Sequence, residues 1–215
     1  MSTPTDLESL EEALQQYSHD DRALKIVREF AESLGKTRKR QEVFNRPGAL
    51  VQPPILYEEA LVREILSKED DVFTFLQGDI VGTESAYFMG ERINNGKYVV
   101  ASSTCDLVPG RREYAILLRL NPIREDNPKA AAVIGELLSF KSIRRMYLPR
   151  LDDDESTVLC NGVELDGVAQ IRIAELQMAT RYGSLSLVGW RVFGTLIRNL
   201  IARTGEAEVK LRTRT

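Results

Sequence analysis

Histidine and cysteine are nearly missing from this 215-residue chain: His19 is the only histidine, and Cys105 and Cys160 are the only cysteines. One imidazole and two distant thiols cannot fill a tetrahedral metal shell, and without CxxC spacing no disulfide framework is indicated. No metal site is therefore expected. No apolar run approaches the roughly 18 residues that cross a bilayer, and the polar, acidic start MSTPTDLESLEE is no secretory signal. The expected compartment is the cytoplasm, with no membrane partner. An excess of one charge is also lacking, because 29 Lys and Arg against 32 Asp and Glu leave a formal −3. That excludes a molecule-wide polycation for nucleic acid but leaves a local basic face open. The chain has neither a P-loop nor GxGxxG, so no cofactor is expected.

What is present reads as helices, then strands. Thr5 and Glu8 have capping-box spacing, followed by Leu7, Leu10, Leu14 and Tyr17 at helical intervals. A second helix from Asp20 carries Ala23, Ile26, Val27, Phe30 and Leu34 on one face, with Gly35 suited to its C′ position. The basic run Lys36, Arg38, Lys39 and Arg40 follows, and it either complements the dipole of that helix or meets an anionic partner. A proline-bearing connection and a third helix over 57–68 close this region. From Val72 the period becomes two, and short strands are expected in VFTFL, AYFMGERI, 98–102, 114–120, 145–151, 157–159, 163–165 and 169–173. Asn94-Asn95-Gly96, Asn161-Gly162 and Asp166-Gly167 mark turns between them. One helix over 129–140 interrupts the strands, and a helix capped by Ser186 and running to Arg203 follows them. The resulting expectation is an α+β chain: an N-terminal helical segment over 1–70, a small bent β-barrel over 71–205 with an inserted and a C-terminal helix, and a basic tail over 206–215.

Candidate chemistry concentrates in the loop Ser102, Ser103, Thr104, Cys105 and Asp106, which joins two apolar strands and can expose polar groups at low cost. Arg111, Arg112 and Arg92 are expected to rim it, with Lys97 beneath, and Tyr87, Tyr98 and Tyr114 would stack on RNA bases wherever they are exposed. Asp106 can anchor the loop by accepting backbone N–H bonds in an Asx turn. Cys105 lacks the base or cation that makes a thiolate unless His19 folds back over it, so a strand-end structural thiol is the expectation. Asp152, Asp153, Asp154 and Glu155 lack the spaced oxygens of a calcium loop and read as a solvated hairpin tip.

The order QGDI, GERINNGKYVVASS, YAILLRLNPI, MYLPRL and VELDGVAQIRIAEL, ending in an amphipathic helix, resembles the MazF/PemK toxins. The resemblance spans about 75–203, and the SSTCDL loop is similar to that of bacterial members with an SQxCDL-type signature. It implies an SH3-like barrel, a metal-independent endoribonuclease and a possible homodimer. The toxin's catalytic Arg falls on Lys97, which keeps the charge but loses the two-pronged guanidinium fork. Its catalytic Thr or Ser falls near Leu120 or Asn121, and leucine cannot move a proton.

The chain is therefore expected to be a catalytically degenerate MazF-like barrel that binds RNA or a protein, in a bacterial toxin–antitoxin, phage-defence or mobile-element setting. Its binding residues would be Lys97, Ser102, Ser103, Thr104, Cys105, Asp106, Arg111 and Arg112. One alternative is an endoribonuclease with relocated groups, drawing on Lys97, Arg111 or Arg112, and Ser103 or Thr104. Another is an interaction subunit docking through its N-terminal helices.

Overall fold

A computed structural model describes residues 4–69, 72–93 and 96–201. The turn residues Asn94 and Asn95 and the 206–215 tail lie outside these. The fold is mixed α and β, built on one large antiparallel sheet. In chain order the elements are α1 (Leu7–Gln15), α2 (Asp21–Ser33), α3 (Thr37–Phe44), β1 (Val51–Gln52), α4 (Tyr57–Val62), β2 (Asp79–Thr83), β3 (Ala86–Phe88) and β4 (Glu91–Ile93). These are followed by β5 (Gly96–Val100), β6 (Tyr114–Arg124), α5 (Ala130–Leu137), β7 (Arg145–Leu148), β8 (Val158–Arg172), α6 (Ile173–Leu176), β9 (Thr180–Leu185) and α7 (Leu187–Ile201).

The strands run β1-β9-β2-β5-β6-β8-β3-β4, with β7 added on β8, and every pairing is antiparallel. Among the described residues no ladder joins β1 to β4, so the sheet is open rather than a closed barrel. Both faces are apolar because alternate residues of the same strands serve two cores. Ile80, Val99, Leu118 and Val163 face a large cluster with Leu10, Phe30, Phe44 and Phe193, so the N-terminal helices and α7 share one core with the sheet. Val81, Tyr98, Val100, Leu117 and Ile171 face a smaller cluster, which Phe75 and Leu176 of α6 close. No described helix is long and apolar enough to cross a membrane.

Several local expectations are corrected. The capping box of α1 uses Asp6 and Ser9 rather than Thr5 and Glu8. The Lys36–Arg40 run does not end α2. It opens α3, with Lys36 at the N-cap and no side-chain cap bond, where cations oppose the helix dipole instead of complementing it. The third predicted helix stops at Val62; Glu64 has φ +56°, and Ile65 beyond it is 69% exposed. VFTFL forms no strand over its described residues 72–76, although Phe75 is buried.

The largest difference is β8, a single 15-residue strand where three short ones were expected. Asn161-Gly162 is not a turn: both residues pair with β6 and with β7. Opposite β6 the register jumps from Leu118↔Val168 to Leu120↔Val163, so residues 164–167 bulge outward. Asp166-Gly167 therefore marks a bulge inside a strand, where close packing favours glycine: a Cβ on Gly167 would lie 3.1 Å from that of Glu164.

Candidate functional site

The SSTCDL loop folds as a one-turn 3₁₀ helix, Thr104–Leu107, between β5 and β6. Its polar groups hold the loop in place. Ser102 Oγ accepts from Ile116 N (2.8 Å), Thr104 Oγ1 accepts from Gln77 N (3.1 Å), and Ser103 O accepts from Asp106 N (2.9 Å). Asp106 accepts from the Arg112 guanidinium (3.2 Å) instead of closing an Asx turn, and Arg111 Nη1 donates to Cys105 O (3.2 Å). Cys105 is exposed. His19 is held edge-on against Trp190, centroids 4.2 Å apart, and burial lowers its pKa. Ser103, Cys105, Asp106, Arg111 and Arg112 are thus brought together as a loop and its rim.

Lys97 is not part of that group. It sits at the start of β5 and the loop begins after its end, about 16 Å away at the rise of an extended strand. Its Nζ lies 2.7 Å from Asp153 Oδ2 and 2.6 Å from Asp154 Oδ1, and 4.9 Å from the centre of the Tyr182 ring. Burial lowers the Lys97 pKa, but the two carboxylates outweigh it and the net direction is up. Asp154 is no solvated tip. Its side chain is 6% exposed, and its other oxygen accepts from Leu151 N (2.8 Å) and Asn161 Nδ2 (2.7 Å). Burial raises the Asp154 pKa, and Lys97, Asn161 and the Leu151 N–H together bring it below the ordinary range. Lys97 and Leu120 do share one cleft of about 390 Å³, walled by Asp153, Asp154 and Glu155. The cation there is neutralised, and Leu120 is buried. Arg92 also stays away from the loop: it donates to Glu84 O and lines a second cavity, of about 590 Å³, with Lys97.

A different surface adjoins the loop. Tyr87 on β3 and Tyr114 on β6 are 44% and 47% exposed, while Tyr98 is fully buried and unavailable for stacking. The two open tyrosines line a cleft of about 540 Å³ with Met89, Val168, Gln170, Arg172 and Glu175. The sheet register explains this arrangement, because directly opposed residues share a face. Tyr87 and Ile116 both oppose Gln170, and Tyr114 opposes Arg172. The Tyr114 hydroxyl beside Arg172, with Glu175 and Glu113 nearby, raises the guanidinium pKa.

One wall of this cleft is the β3–β4 hairpin, whose two-residue turn is Met89-Gly90. Both residues have positive φ, +51° and +86°, as a type I′ turn requires. Asn or Gly suits such a position; methionine is strained there, yet its side chain stands 88% exposed at the rim. Sequence reading did name Tyr87 and Tyr114, but it missed Met89, Gln170, Arg172 and Glu175. Period-two alternation on β8 already placed Gln170 and Arg172 on one face, but no local signal tied that face to Tyr87. No family model and no curated protein matches the chain.

Proposed function

We propose that the chain is a binding module for single-stranded RNA, on an SH3-like curl of the MazF/PemK kind that no longer cuts through the Lys97 position. The observation that carries this reading is the Tyr87–Tyr114 cleft, where two half-exposed aromatic rings stand beside a guanidinium and an amide. Unstacked bases are held on aromatic faces and read by hydrogen bonds, and a cation takes the phosphate. The carboxylates on Lys97 support loss of the toxin chemistry, because a cation already paired twice cannot stabilise charge developing on a phosphate. A toxin–antitoxin, phage-defence or mobile-element setting in a bacterial cytoplasm fits such a module.

A protein partner is the second reading, favoured by the apolar residues Met89, Ile116 and Val168 around the same cleft, since interfaces are rich in methionine, aromatics and arginine. Fluorescence anisotropy with a short labelled RNA separates the two. Tyr87→Ala and Tyr114→Ala should each weaken RNA binding by roughly 5- to 150-fold, the range of about 1–3 kcal/mol per stacked base. With Arg172 as the cleft's cation, the salt dependence should be shallow, a log–log slope of about −1. Lack of RNA binding by the wild-type chain would leave the protein-partner reading.

A further inference from the structure

The cleft holds one group that stacking and phosphate contact leave unexplained. Glu175 lies on α6, directly after β8, and its side chain is a wall shared by the aromatic cleft and the adjoining cavity lined by Gly82, Lys97 and Tyr182. Its Oε2 is covered by protein and has no hydrogen-bond donor. An ionised carboxylate only accepts, so this oxygen requires an N–H or O–H that the protein does not provide. Buried acceptors are nearly always satisfied; because the Glu175 side chain also walls the cleft, a turn of its carboxylate toward the cavity brings this oxygen to a donor on a ligand.

Two ligand chemistries carry N–H donors on a flat group that tyrosine rings accept: a guanidinium from a peptide and an amino-bearing nucleobase. Arg172 distinguishes them. It lies in the same cleft and already interacts with Glu175, so an incoming guanidinium would meet a like charge. A nucleotide instead brings a phosphate for Arg172 and an amino group for Glu175. Gln170, between Tyr87 and Ile116 across the sheet, adds an amide with both donor and acceptor for a base edge.

We propose that the Tyr87–Tyr114 cleft selects cytosine over uracil, with Glu175 accepting from the exocyclic N4 amino group and Arg172 holding the adjoining phosphate. The two pyrimidines stack alike, but uracil presents a carbonyl O4 where cytosine presents N4–H₂. In the uracil complex that oxygen faces a carboxylate and Glu175 remains without a donor. The proposal rests on the RNA-binding reading above.

The test measures anisotropy with labelled oligocytidylate and oligouridylate of about eight nucleotides, within the usual footprint of single-strand sites, at neutral pH. The wild-type chain should bind oligocytidylate about 10- to 100-fold more tightly. Glu175→Gln, nearly isosteric, should erase or invert that ratio, because its amide can donate to uracil O4; binding to oligouridylate should improve while the circular dichroism spectrum is unchanged. Equal wild-type affinities, or a ratio that Glu175→Gln leaves in place, would overturn the base selectivity and leave RNA binding standing. Binding to neither oligonucleotide would overturn both.

Discussion

The Lys97 corner and the Tyr87–Tyr114 cleft are both rich in recognisable side chains, and they differ in whether those side chains are already occupied. At the corner, the central charges have counterparts inside the protein: Lys97 with Asp153 and Asp154, Asp154 also with Asn161, and Arg124 with Glu155. In the cleft, the aromatic faces are open, methionine is displayed at a strained turn, and a carboxylate oxygen has no donor. Buried ion pairs fix a structure when complete and cost heavily when broken. Incomplete polar groups at a cavity are what a ligand can complete. A cation's presence in the sequence therefore says little about function until its partner is known.

The contrast breaks most visibly at Asp154. Asp154→Ala removes one of two carboxylates from Lys97, leaves the Leu151 N–H without its acceptor and leaves Asn161 Nδ2 with Pro149 O alone. Unfolding free energy should fall by about 2–3 kcal/mol, while RNA affinity stays within about twofold because the cleft is not touched. Its pH dependence sharpens the point. Asp154 titrates below its ordinary 3.8 in the fold, so its contribution is complete above that value and is lost as pH falls below it. Asp79 has the opposite sign, since burial raises its pKa despite Ser184 and Arg181. The informative quantity is therefore the difference between wild type and Asp154→Asn. Urea titrations from about pH 6 to about pH 3 should show that difference shrinking with acid; a constant difference would mean that Asp154 contributes nothing through its charge.

A smaller effect is expected at Lys97 itself. Lys97→Met retains the stem and leaves Asp154 with its two N–H donors, so stability should drop by only about 1–2 kcal/mol. RNA affinity should be unchanged. Metal-free cleavage of single-stranded RNA by the wild-type chain, abolished by Lys97→Met, would instead restore the ribonuclease reading and reverse the roles of the two regions.

Much of this architecture is legible in the residues because it depends on local periodicity. The amphipathic spacing of α2 and α7, the Ser186 cap, which accepts from Gly189 N, and the strands flanking the SSTCDL loop all follow from neighbours in sequence. The failures have a common cause. Asn161-Gly162 has turn chemistry, yet Asn161 is used to satisfy Asp154 and Pro149 O from within a strand. The carboxylate run 152–155 reads as solvated, yet Lys97, more than 50 positions away, draws Asp154 inward. Glu175 resembles any surface glutamate until the register of β8 against β3 and β6 places it at a cavity wall. Tertiary pairing decides each of these, and no window of adjacent residues contains it.

The smallest effect concerns the turn that frames the cleft. Met89 adopts left-handed φ without the local side-chain hydrogen bond that makes this conformation tolerable for asparagine. Met89→Asn should stabilise the fold by about 1 kcal/mol, a rise in Tm of about 2–4 °C for a domain of this size. If the strained methionine were a neutral accident, RNA affinity would not move. If it closes the cleft over a stacked base, affinity should fall about two- to fivefold, the share of one partly buried thioether side chain. A gain in stability with that loss of binding would show that strain in the β3–β4 turn is retained for the ligand. A gain with unaltered binding would confine the site to the two tyrosines, Arg172 and Glu175.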